Sequence, residues 1–185
     1  MKFVIITGMS GAGKGTAVKI MEDMGYYCVD NLPISLIEKF AELSMASNDE
    51  LEKVAVSIDI RNNNALSELG EVLERIRAQG ISFEILFLEA EDEVVIKRYK
   101  ETRRNHPLSG GDRIDKGIVL EREKLEFLKK QADYIIDTSR LLTRELKLEL
   151  EKIFVQNQDY KSLFVTILSF GFKYGIPTDS DLVFD

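Results

Sequence analysis

Residues 2–17 read KFVIITGMSGAGKGTA. An apolar run, Lys2–Thr7, predicts a strand. It breaks at Gly8, passes through a glycine-rich turn, and from about Gly15 becomes a helix with Ala17, Ile20, Met21 and Met24 at helical spacing. A strand feeding a glycine turn that opens a helix is the context in which successive backbone N–H groups converge on one anion. The helix N-terminus adds a partial positive charge and Lys14 a full one. The reading is a phosphate loop for a nucleoside triphosphate, with Gly8, Met9, Ser10, Gly11, Ala12, Gly13, Lys14, Gly15 and Thr16 as the binding set. Lys14 is suited to bridge the β- and γ-phosphates. The alternative, a glycine turn without a ligand, has to ignore the agreement of motif and context.

After Lys14 comes Gly15 and only then Thr16, where a Ser or Thr usually follows the lysine directly and holds magnesium. The GAGKGT form resembles the loop of adenylate-kinase-like enzymes. That likeness implies Mg²⁺ held with the nucleotide largely through water, and Thr16 on the α-phosphate. No protein metal site is expected.

Outward from the loop, strand and helix patterns alternate. Strands are expected at Tyr26–Val29, Lys53–Ile60, Ser82–Leu88 and Tyr134–Asp137. Helices are expected after Pro33 (burying Leu36, Ile37, Phe40 and Leu43), around Leu66, Leu69, Leu73 and Ile76, from Glu91 to about Asn105 (Val95, Tyr99 and Thr102 inward), over Ile114–Ala132, and over Thr143–Phe154. The alternation predicts an α/β fold, a parallel sheet flanked by helices, resembling nucleotide kinases. Residues 1–155 form the nucleotide-binding domain, 156–160 (QNQDY) a linker, and 161–185 the opening fragment of a C-terminal domain. Phe164, Phe170, Phe172, Tyr174 and Phe184 need a surface that the chain does not supply, so it reads as a piece of a longer protein, with self-association as one consequence.

In such sheets ligands gather at the carboxyl ends of the strands. Asp59 ends the third strand as a Walker-B-like carboxylate that would orient a magnesium-bound water, or else caps a turn. With Lys14 it is the catalytic candidate, and Arg61 and Asn62 follow at once. Asp30 and Asn31 end the second strand and would face the same crevice, though Asn31 equally suits capping the helix after Pro33. Asp137-Thr138-Ser139-Arg140 ends the fifth strand, either beside a nucleotide base or as a loop before a helix capped by Thr143. Lys97, Arg98, Lys100, Arg103, Arg104 and His106 cluster ahead of a Ser109-Gly110-Gly111 hinge. This is a solvated helix face, an RNA contact, or a lid whose Arg98, Arg103 and Arg104 would stabilise a transferring phosphate.

Composition removes other classes. Cys28 is the single cysteine and His106 the single histidine, so there is no intrachain disulfide and no Cys/His zinc centre. Cys28 reads as a core residue. The net charge of −7 rules out a uniformly nucleic-acid-binding surface. The N-terminal apolar stretch is too short for a signal peptide and no run approaches the ~20 apolar residues of a membrane span. A reduced, cytoplasmic protein without membrane contact is expected.

GMSGAGKGTA at 8–17, GYYCVDNLP at 25–33, VAVSIDIRN at 54–62, RYKETRRNHPL at 98–108, ADYIIDTS at 132–139 and SFGFKYGIP at 169–177 together resemble the RapZ/YvcJ family of P-loop nucleotide-binding proteins. The resemblance runs in order through almost the whole chain. It implies binding and slow hydrolysis of ATP and GTP, with ATP on the loop from Gly8 to Gly15 and a GTP-associated segment at Asp59, Ile60, Arg61 and Asn62. Gly15 departs from many relatives, which carry Ser there. Some members are adapters that bind regulatory RNA, largely through a C-terminal domain, of which residues 161–185 would be only the start. Three functions therefore compete: a regulatory NTP-binding module with weak ATPase/GTPase activity, a small-molecule kinase, and an RNA- or protein-binding adapter with a vestigial nucleotide site.

Overall fold

The computed structural model describes residues 1–46, 51–59, 65–103, 106–109, 113–155 and 171. Five parallel strands form one sheet: β1 (Lys2–Gly8), β2 (Tyr27–Val29), β3 (Lys53–Ser57), β4 (Glu84–Glu89) and β5 (Tyr134–Asp137), in the order β2-β3-β1-β4-β5. The connecting helices are α1 (Lys14–Asp23), α2 (Ile34–Ala46), α3 (Ala65–Ala78), α4 (Asp92–Thr102) and α5 (Ile114–Gln131), and α6 (Thr143–Phe154) follows β5. The expected α/β fold is therefore observed.

β1 is central and buried from Phe3 to Gly8, as its apolar run requires. It pairs with β3 from Lys2↔Lys53 to Ile6↔Ser57 and with β4 from Val4↔Glu84 to Gly8↔Leu88. Right-handed crossovers send α1 to one face of the sheet and α2, α3 and α5 to the other. α1 packs with α6, α2 with α3, and α4 with α5. Because the helix after β1 leaves on the opposite face from those after β3 and β4, a crevice opens at the carboxyl end of β1.

Element boundaries differ from the sequence reading where the site begins. β3 stops at Ser57 rather than Ile60, although Ile58 stays buried and donates its N–H to Ile6 O at 3.0 Å. α4 stops at Thr102, because Arg103 takes a left-handed conformation (φ 52°) and closes the helix. Thr102 is exposed and its hydroxyl returns to Arg98 O. The inward face of α2 is Ile34, Ile37, Ala41 and Ser44, so of the expected Leu36, Ile37, Phe40 and Leu43 only Ile37 is fully buried. Leu36 and Leu43 are exposed, and Phe40 is half-buried between the Phe3 and Tyr27 rings. Two apolar stripes of equal period compete on this helix. The one carrying small residues lets α2 lie close to its neighbours, and the Ser44 hydroxyl is satisfied by Phe40 O at 2.7 Å. The linker 156–160, and residues 161–185 apart from 171, lie outside the described residues.

Cys28 is partly buried in β2, its thiol facing Val18 O at 3.6 Å. Burial, helped by Glu22, pushes that thiol up to about 12. The folded chain therefore holds far less thiolate than the unfolded chain, whose thiol titrates near about 8.5. Alkylation by iodoacetamide at pH 8 is expected to be slow in the native protein and fast in urea. The matching contribution to stability is complete below about pH 8.5 and is lost as pH rises from there toward about 12.

Gly8 ties the sheet to the loop. It has φ 129°, and a Cβ there would lie 2.0 Å from Leu88 O. Gly8→Ala combines backbone strain with overpacking against the neighbouring strand and should cost about 3 kcal/mol or more in urea denaturation.

Candidate functional site: a phosphate loop braced from outside

The turn between β1 and α1 is held by contacts that decide which of its polar groups face the crevice. Met9 N–H donates to Leu88 O at 2.9 Å, Ala12 N–H to Met9 O at 3.0 Å, and Thr16 N–H to Gly13 O at 3.0 Å. Ser10 N–H turns outward to the Glu121 carboxylate, at 3.1 and 3.0 Å from its two oxygens. Two carbonyls are also drawn outward. Gly11 O accepts from Arg98 Nη1 at 2.9 Å and Ala12 O accepts from the Thr138 hydroxyl at 2.8 Å. With φ of 86° at Gly11 and 98° at Gly13, the chain can reverse so that carbonyls leave and amides stay. The amides of Gly11, Gly13 and Gly15 then have no protein acceptor among the described residues.

Lys14 opens α1. Its ammonium donates to Gly8 O at 2.8 Å and Met9 O at 3.3 Å, and lies 3.9 Å from Asp59 Oδ1. Lys14 and Asp59, the two catalytic candidates, are thus brought together at the carboxyl end of the sheet. Both side chains are largely shielded, at 12% and 16% exposure, which strengthens their mutual field over that of a surface pair. Asp30 reaches the same edge and accepts from the Ser57 hydroxyl at 2.8 Å. Asn31 sits in the following turn with φ 55°. Ile60, Arg61 and Asn62 lie outside the described residues, so only Asp59 of the GTP-associated segment is placed.

Of the lid arginines, Arg98 and Arg103 are described, and they stand apart. Arg98, on α4, donates to Gly11 O and, through Nη1 and Nη2, to the Thr138 hydroxyl (3.1 Å) and carbonyl (2.7 Å). It acts as a clamp between the phosphate loop and the end of β5. Arg103 is exposed at the end of α4, while Arg104 and the Gly110-Gly111 hinge lie outside the described residues. Thr138 is buried and also reaches Glu89 O at 3.1 Å, so the β5 end is built into the loop. α6 begins at Thr143, but its start is tied by Glu145, which accepts the Leu142 N–H at 2.8 Å, and not by Thr143.

Sequence reasoning missed Glu121 and gave His106 no part beyond the basic cluster. Glu121 was legible as an anomaly. It is a carboxylate on the apolar stripe Gly117, Ile118, Leu125, Leu128 of α5, and a charge on a buried stripe needs a partner. The identity of the partner, Ser10, could not be read from any local pattern.

Residues 1–158 match the family described as the RapZ-like N-terminal domain. The chain belongs to that family. Relatives of this RapZ-like chain include a "Nucleotide-binding protein" of Agathobacter rectalis, 68% identical over 185 residues, and one of Lachnoclostridium phytofermentans, 63% identical over 185 residues. Each match covers 100% of this chain but only 64% and 65% of those relatives. The chain thus spans a little under two thirds of their length. Among solved structures, the Deinococcus radiodurans tunicamycin resistance protein aligns with TM-score 0.57 at 17% identity, covering 83% of this chain and 95% of that one. Shikimate kinase from Acinetobacter baumannii aligns with TM-score 0.55 at 17% identity, covering 84% and 94%. At such identities the likeness is one of fold, that of P-loop kinases. The RapZ-like domain therefore has the P-loop kinase-like fold that these structures share. Among the described residues no helix is long and apolar enough to cross a membrane.

Gly15 differs from the other loop glycines. It needs no positive φ, and a Cβ there would meet nothing within 4 Å. Gly15→Ser should fold with an unchanged or slightly raised midpoint in thermal unfolding, since Ser is the better helix former by a few tenths of a kcal/mol.

Proposed function

We propose that this chain is the nucleotide-binding part of a regulatory or adapter protein, binding ATP and GTP on the Gly8–Thr16 loop and hydrolysing them slowly. The observation that carries this reading is the outward bracing of the loop by Glu121, Arg98 and Thr138, which leaves glycine amides facing the crevice beside Lys14. Such a cradle fits a polyphosphate and has no evident use in its absence. The relatives' name, nucleotide-binding protein, agrees with it.

Chemically, the loop amides and Lys14 would hold the β- and γ-phosphates and neutralise charge as the terminal bond lengthens. Asp59 would orient water at the crevice. Among the described residues no group of three or more His, Cys, Asp or Glu side chains is placed to hold a metal ion. Asp59, 3.9 Å from the Lys14 ammonium, fits a hydrated magnesium ion that arrives with the nucleotide. That ion would supply charge neutralisation between the phosphates. Asp59, placed beside Lys14, is a weak base, and a carboxylate that orients water without deprotonating it fits slow turnover.

A small-molecule kinase is the second reading, favoured by Asp30. This exposed carboxylate, held by Ser57 at the same sheet edge, is placed to receive an acceptor hydroxyl. An RNA or protein partner, and self-association, would engage the part of the relatives that this chain lacks together with residues 161–185. The division at 156–160 and a cytoplasmic setting belong to the same proposal.

Release of γ-phosphate from labelled ATP and GTP in magnesium buffer, with and without a panel of acceptors, separates these readings. Slow release to water, indifferent to acceptors and reduced at least about 100-fold in Lys14→Ala, is the expected result. Rapid transfer to one acceptor would establish a kinase instead. Full turnover in Lys14→Ala would remove the loop from the reaction.

A further inference from the structure

α5 delivers a buried anion to the back of the phosphate loop. Glu121 is 2% exposed and Ser10 5%. The carboxylate accepts the Ser10 N–H through both oxygens and the Ser10 hydroxyl at 2.6 Å. A further donor comes from the segment that follows the basic helix. His106, itself 2% exposed, lies with Nε2 3.1 Å from Glu121 Oε2. Leu108 N–H donates to His106 Nδ1 at 3.2 Å, which makes Nδ1 the acceptor and places the ring proton on Nε2, directed at Glu121. The turn 106–109 is closed on itself, with Ser109 giving both its N–H (3.1 Å) and its hydroxyl (2.9 Å) to His106 O. It sits tightly on α5: a Cβ at Gly117 would lie 2.6 Å from His106 Nδ1 and 3.0 Å from Ser109 N.

An unbroken chain of contacts therefore runs from the turn 106–109 through His106 and Glu121 to Ser10. Every group around the carboxylate is a donor, which is what an ionised Glu121 needs when buried. By charge alone, an anion here opposes a second anion in the adjacent cradle. What Glu121 contributes to phosphate binding must then be geometry. It pulls the Ser10 amide outward and fixes the direction in which the following glycines turn.

We infer that Glu121 is a positioning residue of the phosphate loop and that, through His106, it ties the loop's anion-binding shape to the seating of the turn 106–109. Nucleotide in the loop then stabilises that turn, and release of the turn loosens the loop. This rests on the reading that nucleotide binds at Gly8–Thr16.

The test is ATP affinity by calorimetry on the whole chain, with hydrogen exchange at the Leu108 and Ser109 amides at nucleotide saturation. Glu121→Gln keeps the shape and removes the charge. Positioning requires it to bind ATP about tenfold more weakly, the effect of losing a charge-assisted bond. Plain electrostatics requires it to bind more tightly. Saturating ATP should slow exchange at Leu108 and Ser109 in the wild type and fail to do so in Glu121→Gln. His106→Gln should weaken ATP binding on its own but add nothing in the Glu121→Gln background. If Glu121→Gln does not fold, His106→Gln alone decides, through the same two readouts. Unchanged or tighter binding, or exchange at Leu108 and Ser109 that ignores ATP in the wild type, overturns the inference. Lys14→Ala serves as the control: if it too leaves ATP affinity unchanged, the reading of the nucleotide site fails and the inference falls with it, whereas weaker binding in Lys14→Ala with unchanged binding in Glu121→Gln overturns the inference alone.

Discussion

A backbone cannot present several N–H groups to one point unless its carbonyls are taken care of elsewhere. Here Gly11 O and Ala12 O accept from Arg98 on α4 and from the Thr138 hydroxyl at the end of β5, while the Ser10 amide is drawn away by Glu121 from α5. Each brace comes from a different part of the chain, so the cradle exists only once the sheet and three later segments are in place. Gly8 is the fixed end of this arrangement, pressed against Leu88 where β1 and β4 pair. The order β2-β3-β1-β4-β5 matters to function for this reason. It places β1 between the strand that brings Asp59 and the strand that leads to α4.

The electrostatics are local. A chain of net charge −7 has no general attraction for polyphosphate, and the anion site must be made by a few oriented groups. Backbone amides, a helix N-terminus and the Lys14 ammonium would supply it, in a crevice where both Lys14 and Asp59 are mostly shielded from water. The buried Glu121 works against this field, and its placement makes sense only as a mechanical brace.

The sequence made the strand–loop–helix legible because it is local: an apolar run, a glycine turn and a helical period lie within about one supersecondary unit. The alternation that followed was enough for the parallel sheet. On α2 Ile37 was placed correctly, but Leu36 and Leu43 were taken in place of Ile34 and Ala41, because the two stripes carry the same period and only packing against α3 and the sheet chooses between them. The braces were out of reach for another reason. Thr138 is 126 residues from Ala12 and Glu121 is 111 from Ser10, and no local pattern encodes a hydrogen bond over such a span. Arg98 was noticed for its charge and assigned to a lid, and its bond to Gly11 O, 87 residues away, lies beyond any local pattern in the same way.

The central claim is that the amides of Gly11, Gly13 and Gly15, beside the Lys14 ammonium, receive the phosphates of a nucleoside triphosphate. The most direct measurement is the amide chemical shift of each loop residue as a non-hydrolysable ATP or GTP analogue is added with magnesium. Large, saturable shifts at these amides, with the Met9 amide, already bonded to Leu88, nearly unmoved, are the expected result. Shifts that saturate elsewhere on the molecule while the Gly11, Gly13 and Gly15 amides stay still would contradict the account.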